Sequence, residues 1–250
     1  MKVNTGEQKE AIIVQAIDNE KIENLEENLR TMVKFIFPNA KQDDIVQAKL
    51  IDGVMKPDFS ITINNETHYV SMKSGINTIV HQEYIDNFCK LLQDRGIGEH
   101  TIKTIRYFQF GDGTFDGTGP ERMSYPELRL KLEKHSRLAN RELNKNRKLM
   151  IELVNRFVFK GSDPNNVEAD FLYEGDINYG QIVSRTQFLK HLEYKDWDFY
   201  ESLHIGPILF RPHARYYKKR IKHESYRQRV EFYWPNLSSD IAYIKSHYLP

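Results

Sequence analysis

The sequence predicts an α/β fold, and three observations carry that expectation. Residues 56–73 alternate apolar and polar positions on both sides of Asn64-Asn65, the pattern of a β-hairpin closed by a two-residue turn with positive φ at both centres. Amphipathic helical stretches lie before and after it. The chain, 250 residues long with 40% apolar and 28% charged residues, is large enough and apolar enough to bury a sizeable core.

Taken in order, Glu7 to about Asp18 reads as a helix with Thr5 as its N-cap and Ile13, Val14 and Ile17 as its apolar stripe. Glu7 and Glu10 fall near that stripe rather than opposite it. Glu23 to Phe37 reads as a second amphipathic helix, ended by Pro38, and Ile45 to Leu50 as a short strand. In the hairpin, a turn at Asn64-Asn65 sets Asp58 opposite Ser71. Phe59, Ile61, Ile63, Val70 and Met72 then share the apolar face, and Asp58, Ser60, Thr62, Thr67, Tyr69, Ser71 and Lys73 the other. Asp58 and Lys73 become diagonal neighbours at one end of the hairpin. They could be an ordinary cross-strand ion pair, worth under about 1 kcal/mol, or part of a site.

Beyond the hairpin, His81 to about Gln93 reads as a helix and Lys103 to Phe110 as a strand. Gly111 to Pro120 is the most turn-rich segment and the expected boundary; it lacks the Gly-Lys-Ser/Thr ending of a phosphate-binding loop. Tyr125 to Phe157 reads as one or two helices. Short strands are expected over Phe171 to Tyr179 and Gln181 to Val183, with a helix from Thr186 to Leu192. Strands follow over Leu203 to Phe210 and Tyr226 to Trp234, then a closing helix from Ser238, capped by Ser238 or Ser239. The expected organisation is a core over 1–115 and helical and strand elements over 116–250, with one domain continuous with the core as the alternative.

Composition narrows the function classes. No apolar run approaches the roughly 20 residues that span a bilayer, and the N-terminus lacks a secretory signal's apolar core. Cys89 is the only cysteine, which excludes an internal disulfide and a cysteine-rich zinc site; a small buried hydrophobe in a helix is its expected role. A cytoplasmic protein is expected. Net charge is only +1, but two stretches are strongly basic. Lys134 to Lys148 holds six Lys or Arg against Glu142 alone, and Arg211 to Arg229 holds eight against Glu224 alone, interleaved with Tyr216, Tyr217 and Tyr226. Charge segregated in this way fits a polyanion bound on one face, with a solvated basic surface as the alternative.

Pro57-Asp58, then Ser71-Met72-Lys73, with Glu7 or Glu10 on the preceding helix, resemble the PD-(D/E)xK nuclease superfamily, of the type II restriction-endonuclease-like kind. The resemblance covers about the first 110 residues. It implies a central mixed sheet flanked by helices, with a C-terminal α+β extension. It also implies an Mg²⁺-dependent endonuclease acting on double-stranded DNA at specific sequences. By resemblance, Asp58, the Met72 carbonyl and Glu10 or Glu7 would hold Mg²⁺, Lys73 would act on water or phosphate, and Gln82 or His81 would approach the site. Ser71 stands where the family usually has an acid, and it cannot supply the anionic oxygen that a hard cation prefers. The second reading is therefore a non-catalytic nucleic-acid-binding protein with the nuclease fold; an RNA-directed nuclease is a third. The later Gly206–Pro212 and Arg229–Leu237 stretches are also similar to C-terminal strands of restriction enzymes. DNA contacts are expected from Arg137, Arg141, Lys145, Arg211, Arg215, Lys218, Lys219, Arg220, Arg227 and Arg229, and a two-fold homodimer would suit a symmetric site.

Overall fold

The computed structural model describes residues 6–51, 55–74, 78–163, 165–197, 202–213 and 224–248. The expected cap Thr5 and the expected DNA contacts Arg215, Lys218, Lys219 and Arg220 lie outside those residues. The chain is mixed α/β and divides into two compact units, one of residues 1–78, 155–194 and 236–250 and one of residues 79–154 and 195–235.

The first unit is built on a five-stranded sheet in the order β1-β2-β3-β5-β6, with β1 Gln47–Leu50, β2 Phe59–Ile63, β3 Glu66–Lys73, β5 Phe171–Gly175 and β6 Gly180–Ser184. All pairs are antiparallel except β3 with β5. The hairpin register is the expected one, Phe59 facing Val70 and Ser60 facing Tyr69, and Asn64 and Asn65 both take positive φ, 50° and 66°. Its apolar face, with Phe59, Ile61, Ile63, Val70 and Met72, is buried against helix α1 (Gly6–Ile17) and helix α2 (Glu27–Ile36). Leu172 and Val183 point to the opposite face and are also buried, and helices α7 (Arg185–Tyr194) and α8 (Leu237–His247) pack against β6.

The second unit holds a four-stranded antiparallel sheet, β4-β9-β8-β7: β4 Ile79–Tyr84, β7 His204–Ile205, β8 Ile208–Pro212 and β9 Arg229–Tyr233. Phe88, Phe210 and Phe232 meet edge-on, with ring centroids 4.9–5.5 Å apart. The helices of this unit are α3 (Ile85–Asp94), α4 (Glu99–Phe110), α5 (Tyr125–Lys145) and most of α6 (Arg147–Asn155).

Several expectations are corrected. The helix expected from Glu23 is a 3-10 turn, Ile22–Asn24, followed by α2; Arg30 donates back to the Leu25 carbonyl and holds the break. His81 to Tyr84 is strand, because β4 finds its partner in distant β9, and the helix starts only at Ile85. Lys103 to Phe110 is the end of helix α4. Thr101, Thr104, Ile105 and Phe108 recur at helical spacing on its buried side, and Gly111 ends it at φ 62°. Leu203 to Phe210 is a hairpin rather than one strand, turning at Gly206-Pro207 with Gly206 at φ 52°. Tyr226 belongs to a 3-10 turn before β9, and Asn236, not Ser238 or Ser239, occupies the N-cap position of α8.

The division expected near residue 115 is not where the units part. Asp112, whose side chain is fully buried, accepts from Thr114, from the Gly119 backbone and from Arg227, so the glycine-rich loop is stitched into the second unit. The chain leaves the first unit after β3, forms the second over residues 79–154 and 195–235, and returns to the first with α8.

Arg227 is only 3% exposed and its Nη2 lies 2.9 Å from Asp112 Oδ2. Asp112→Ala strands that cation in the interior and is expected to cost about 3–5 kcal/mol in urea unfolding. A loss under about 1 kcal/mol would show that the pair does not hold the loop.

Candidate active site

The site grows from the end of the hairpin where β2 begins and β3 finishes. Pro57 fixes the approach to Asp58, whose backbone N–H donates to the Val70 carbonyl at 2.9 Å and extends the ladder one step past Phe59. The Asp58 side chain turns to β3, where Oδ2 accepts from the Met72 backbone N–H and from the Ser71 hydroxyl at 3.2 Å. Lys73 Nζ lies 3.4 Å from the same oxygen and 2.5 Å from the Met72 carbonyl. The two charged side chains are 15% and 22% exposed, so this is a sheltered pair and not the solvated surface pair that the sequence also allowed.

Glu10 completes the acidic side from α1. Burial, and next the Asp58 carboxylate, push the Glu10 carboxyl up to about 7 against the opposing pull of Lys73, with a smaller push from Glu7. Glu7 itself is exposed. Two carboxylates that repel each other, beside a backbone carbonyl, are hard oxygen donors whose mutual repulsion a divalent cation relieves. The residues present therefore suit Mg²⁺, with Asp58, Glu10 and the Met72 carbonyl as the groups that could hold it. Among the described residues, no group of three or more His, Cys, Asp or Glu side chains is arranged to hold a metal ion. Ser71 is fully buried and donates to Asp58, so this position holds a neutral donor.

Two further residues belong to this neighbourhood and were not singled out in the sequence. Burial pushes the Lys56 ammonium well below its ordinary value, and the Lys73 cation adds to this while Asp58 opposes it. Its place next to Pro57-Asp58 was the available signal. Glu174 stands in register with Lys73 on the adjacent parallel strand β5, is 8% exposed, and has its Oε2 buried without a hydrogen-bond partner. Nothing local in the sequence pairs those two residues.

The other expected residues belong to the second unit. Gln82 is on β4 of the second unit, where it donates to Glu231 at 2.9 Å, and His81 lies beside it on the same strand, not at a helix start. Arg137, Arg141 and Lys145 are exposed and recur every fourth residue along α5, with Arg137 also paired to Glu133. Arg211 is held by Glu231 at 2.6 Å and lies over Tyr233, and Arg229 lies over Tyr84. Arg227 is buried on Asp112 and offers no surface for DNA, a correction to the expected contact set. Cys89 is fully buried in α3, and burial pushes its thiol up to about 11, as an inert hydrophobe requires.

No protein-family model matches the chain, and no curated protein matches it. Among solved structures, the chain is similar to the restriction endonuclease MspI, crystallised in complex with its cognate DNA. The match covers 91% of this chain and 88% of that one at 14% identity, with a TM-score of 0.46. Among the described residues, no helix is long and apolar enough to cross a membrane.

The Glu10 carboxyl, raised to about 7 in the fold from an ordinary 4.5, binds its proton more tightly folded than unfolded. Its contribution to stability is therefore full below the unfolded value and is lost as pH rises through about 7. Glu10→Gln removes the repulsion, and is expected to add about 1–2 kcal/mol at about pH 8 once solvent screening of a half-buried group is allowed for. Urea unfolding between about pH 5 and 8 checks this; equal pH slopes in both proteins would contradict it.

Proposed function

We propose that the chain is an Mg²⁺-dependent endonuclease that hydrolyses phosphodiester bonds of double-stranded DNA at specific sequences. The observation that supports it is the arrangement at Asp58: one carboxylate oxygen sheltered at a strand end, a lysine ammonium 3.4 Å away, and a second carboxyl, Glu10, raised by burial and by the Asp58 carboxylate. Asp58, Glu10 and the Met72 carbonyl hold the cation in this reading. Bound there, Mg²⁺ would supply an activated water near neutral pH and relief of charge on the phosphate. Lys73, a compact cation with three donors, orients that water or takes charge from the phosphate oxygens. The basic stripe Arg137, Arg141 and Lys145 contacts the DNA backbone, and a homodimer presents two sites to a two-fold target.

A second reading has a specific observation in its favour. Ser71 fills the usual acid's position with a buried hydroxyl already bonded to Asp58, which fits a protein that binds nucleic acid without cutting it.

Incubation with plasmid or phage DNA separates the two. The proposed enzyme yields discrete fragments with Mg²⁺ and none with EDTA, and Lys73→Ala lowers the rate by roughly 10²–10³-fold. Intact DNA in every lane of a varied substrate panel, with salt-sensitive binding retained in both proteins, would support the binding reading instead. Arg141→Ala and Lys145→Ala are each expected to weaken binding uniformly across sequences and to lower the slope of log K against log salt by about 1. Unchanged slopes would remove α5 from the interface.

A further inference from the structure

Lys73 occupies the oxygens that the cation needs. Its Nζ sits 3.4 Å from Asp58 Oδ2 and 2.5 Å from the Met72 carbonyl, and those are the acceptors assigned above to Mg²⁺. An ammonium and a divalent cation repel strongly at that separation, so filling the site requires Lys73 to leave both oxygens. Its side chain is only 15% exposed, and a buried ammonium without an acceptor is costly.

The neighbouring strand β5 provides an acceptor. β3 and β5 run parallel with Lys73 paired to Glu174, so the two side chains rise from the same face of adjacent strands about 4.8 Å apart. Glu174 is 92% buried, from its 8% exposure, and its Oε2 has no hydrogen-bond partner. Buried carboxylate oxygens are rarely left so, and each such group calls for a physical account. A lysine stem spans the gap between neighbouring strands by rotation of its own side-chain torsions, with no movement of backbone.

We propose that Glu174 is a positioning residue that receives the Lys73 ammonium when a divalent cation takes Asp58 and the Met72 carbonyl. Lys73 thus exchanges one carboxylate for another, and Glu174 holds it beside the site in the loaded state. This rests on the cation-binding reading of Asp58 and Glu10 given above.

The test is Mg²⁺ binding to the full chain, without DNA, followed by calorimetry for the unsubstituted protein, Glu174→Gln, Lys73→Met and the double variant. Glu174→Gln is expected to weaken Mg²⁺ binding about tenfold while Lys73 is present and by less than about twofold once Lys73 is methionine, a coupling that a merely structural carboxylate does not produce. Glu174→Asp should recover part of the loss. Equal weakening in both backgrounds, or no weakening in either, overturns the exchange while leaving the cation site intact. An unsubstituted protein that takes up no Mg²⁺ overturns the cation-binding reading and the exchange with it. A second measurement avoids substitutions altogether: a nuclear Overhauser contact between the Lys73 ε and Glu174 γ protons should appear on saturation with Mg²⁺, and its absence at saturation overturns the exchange.

Discussion

The register between β2 and β3 is the constraint on which the rest depends. Strand side chains alternate, so a slip of one residue would carry Phe59, Ile61 and Ile63 out of the core and part Asp58 from Lys73 in the same step. Two independent features hold the register: Asn64 and Asn65, which accept positive φ at little cost, and the apolar face packed under α1 and α2. The polar end of the hairpin inherits this precision. Asp58 is the first residue beyond the β2 ladder, yet its backbone still bonds to Val70 and its side chain to Met72 and Ser71. The same register that packs the core thus fixes the backbone from which Asp58 and Lys73 project.

The hairpin was legible because everything that defines it is local. Turn residues, alternation and the Asp58–Lys73 relation lie within eighteen consecutive residues, and the structure keeps all of them. The elements misread are those whose identity depends on a distant partner. Residues 79–84 contain no strong alternation, and they are a strand because β9, far along the chain, offers a ladder and because Gln82 finds Glu231 there. In the window 103–110, taken alone, Lys103, Ile105 and Tyr107 mimic a strand. Extending the window back to Gly98 exposes the helical recurrence of Thr101, Thr104 and Ile105. Glycine-rich composition at 111–119 suggested a boundary, whereas Asp112 uses those glycines to bring backbone N–H groups to a buried carboxylate that also anchors Arg227. Charge alone could not distinguish Arg227, spent inside the second unit, from Arg141, which is exposed.

The parallel pairing of β3 with β5 explains why Glu174 was invisible in the sequence. A parallel neighbour requires a crossover, and here the crossover contains most of a second folded unit. Whatever length that insertion takes, the ladder returns β5 to the same register, setting Glu174 beside Lys73 and Leu172 beside Ser71. The same sheet face is thereby apolar and buried where β5 and β6 meet the helices, and ionic at the strand ends.

That ionic end is crowded with charge and does not cancel evenly. Asp58 is satisfied three times over on one oxygen, Glu10 is raised toward neutrality, Lys56 is depressed toward neutrality, and Glu174 keeps an oxygen unpaired. A purely structural ion pair gains little from such surroundings, since burial acts against the charged forms of Glu10 and Lys56 and one Glu174 oxygen has no hydrogen-bond partner. An arrangement selected only for stability would neutralise Glu10 by substitution and pair Glu174 with a fixed donor. In the proposed reading, a divalent cation beside Asp58 and Glu10 would relieve their repulsion, and Glu174, with one buried oxygen unpartnered, would be an acceptor for the displaced Lys73. The uneven charge at Asp58, Lys73 and Glu174 is what the proposed cation would relieve.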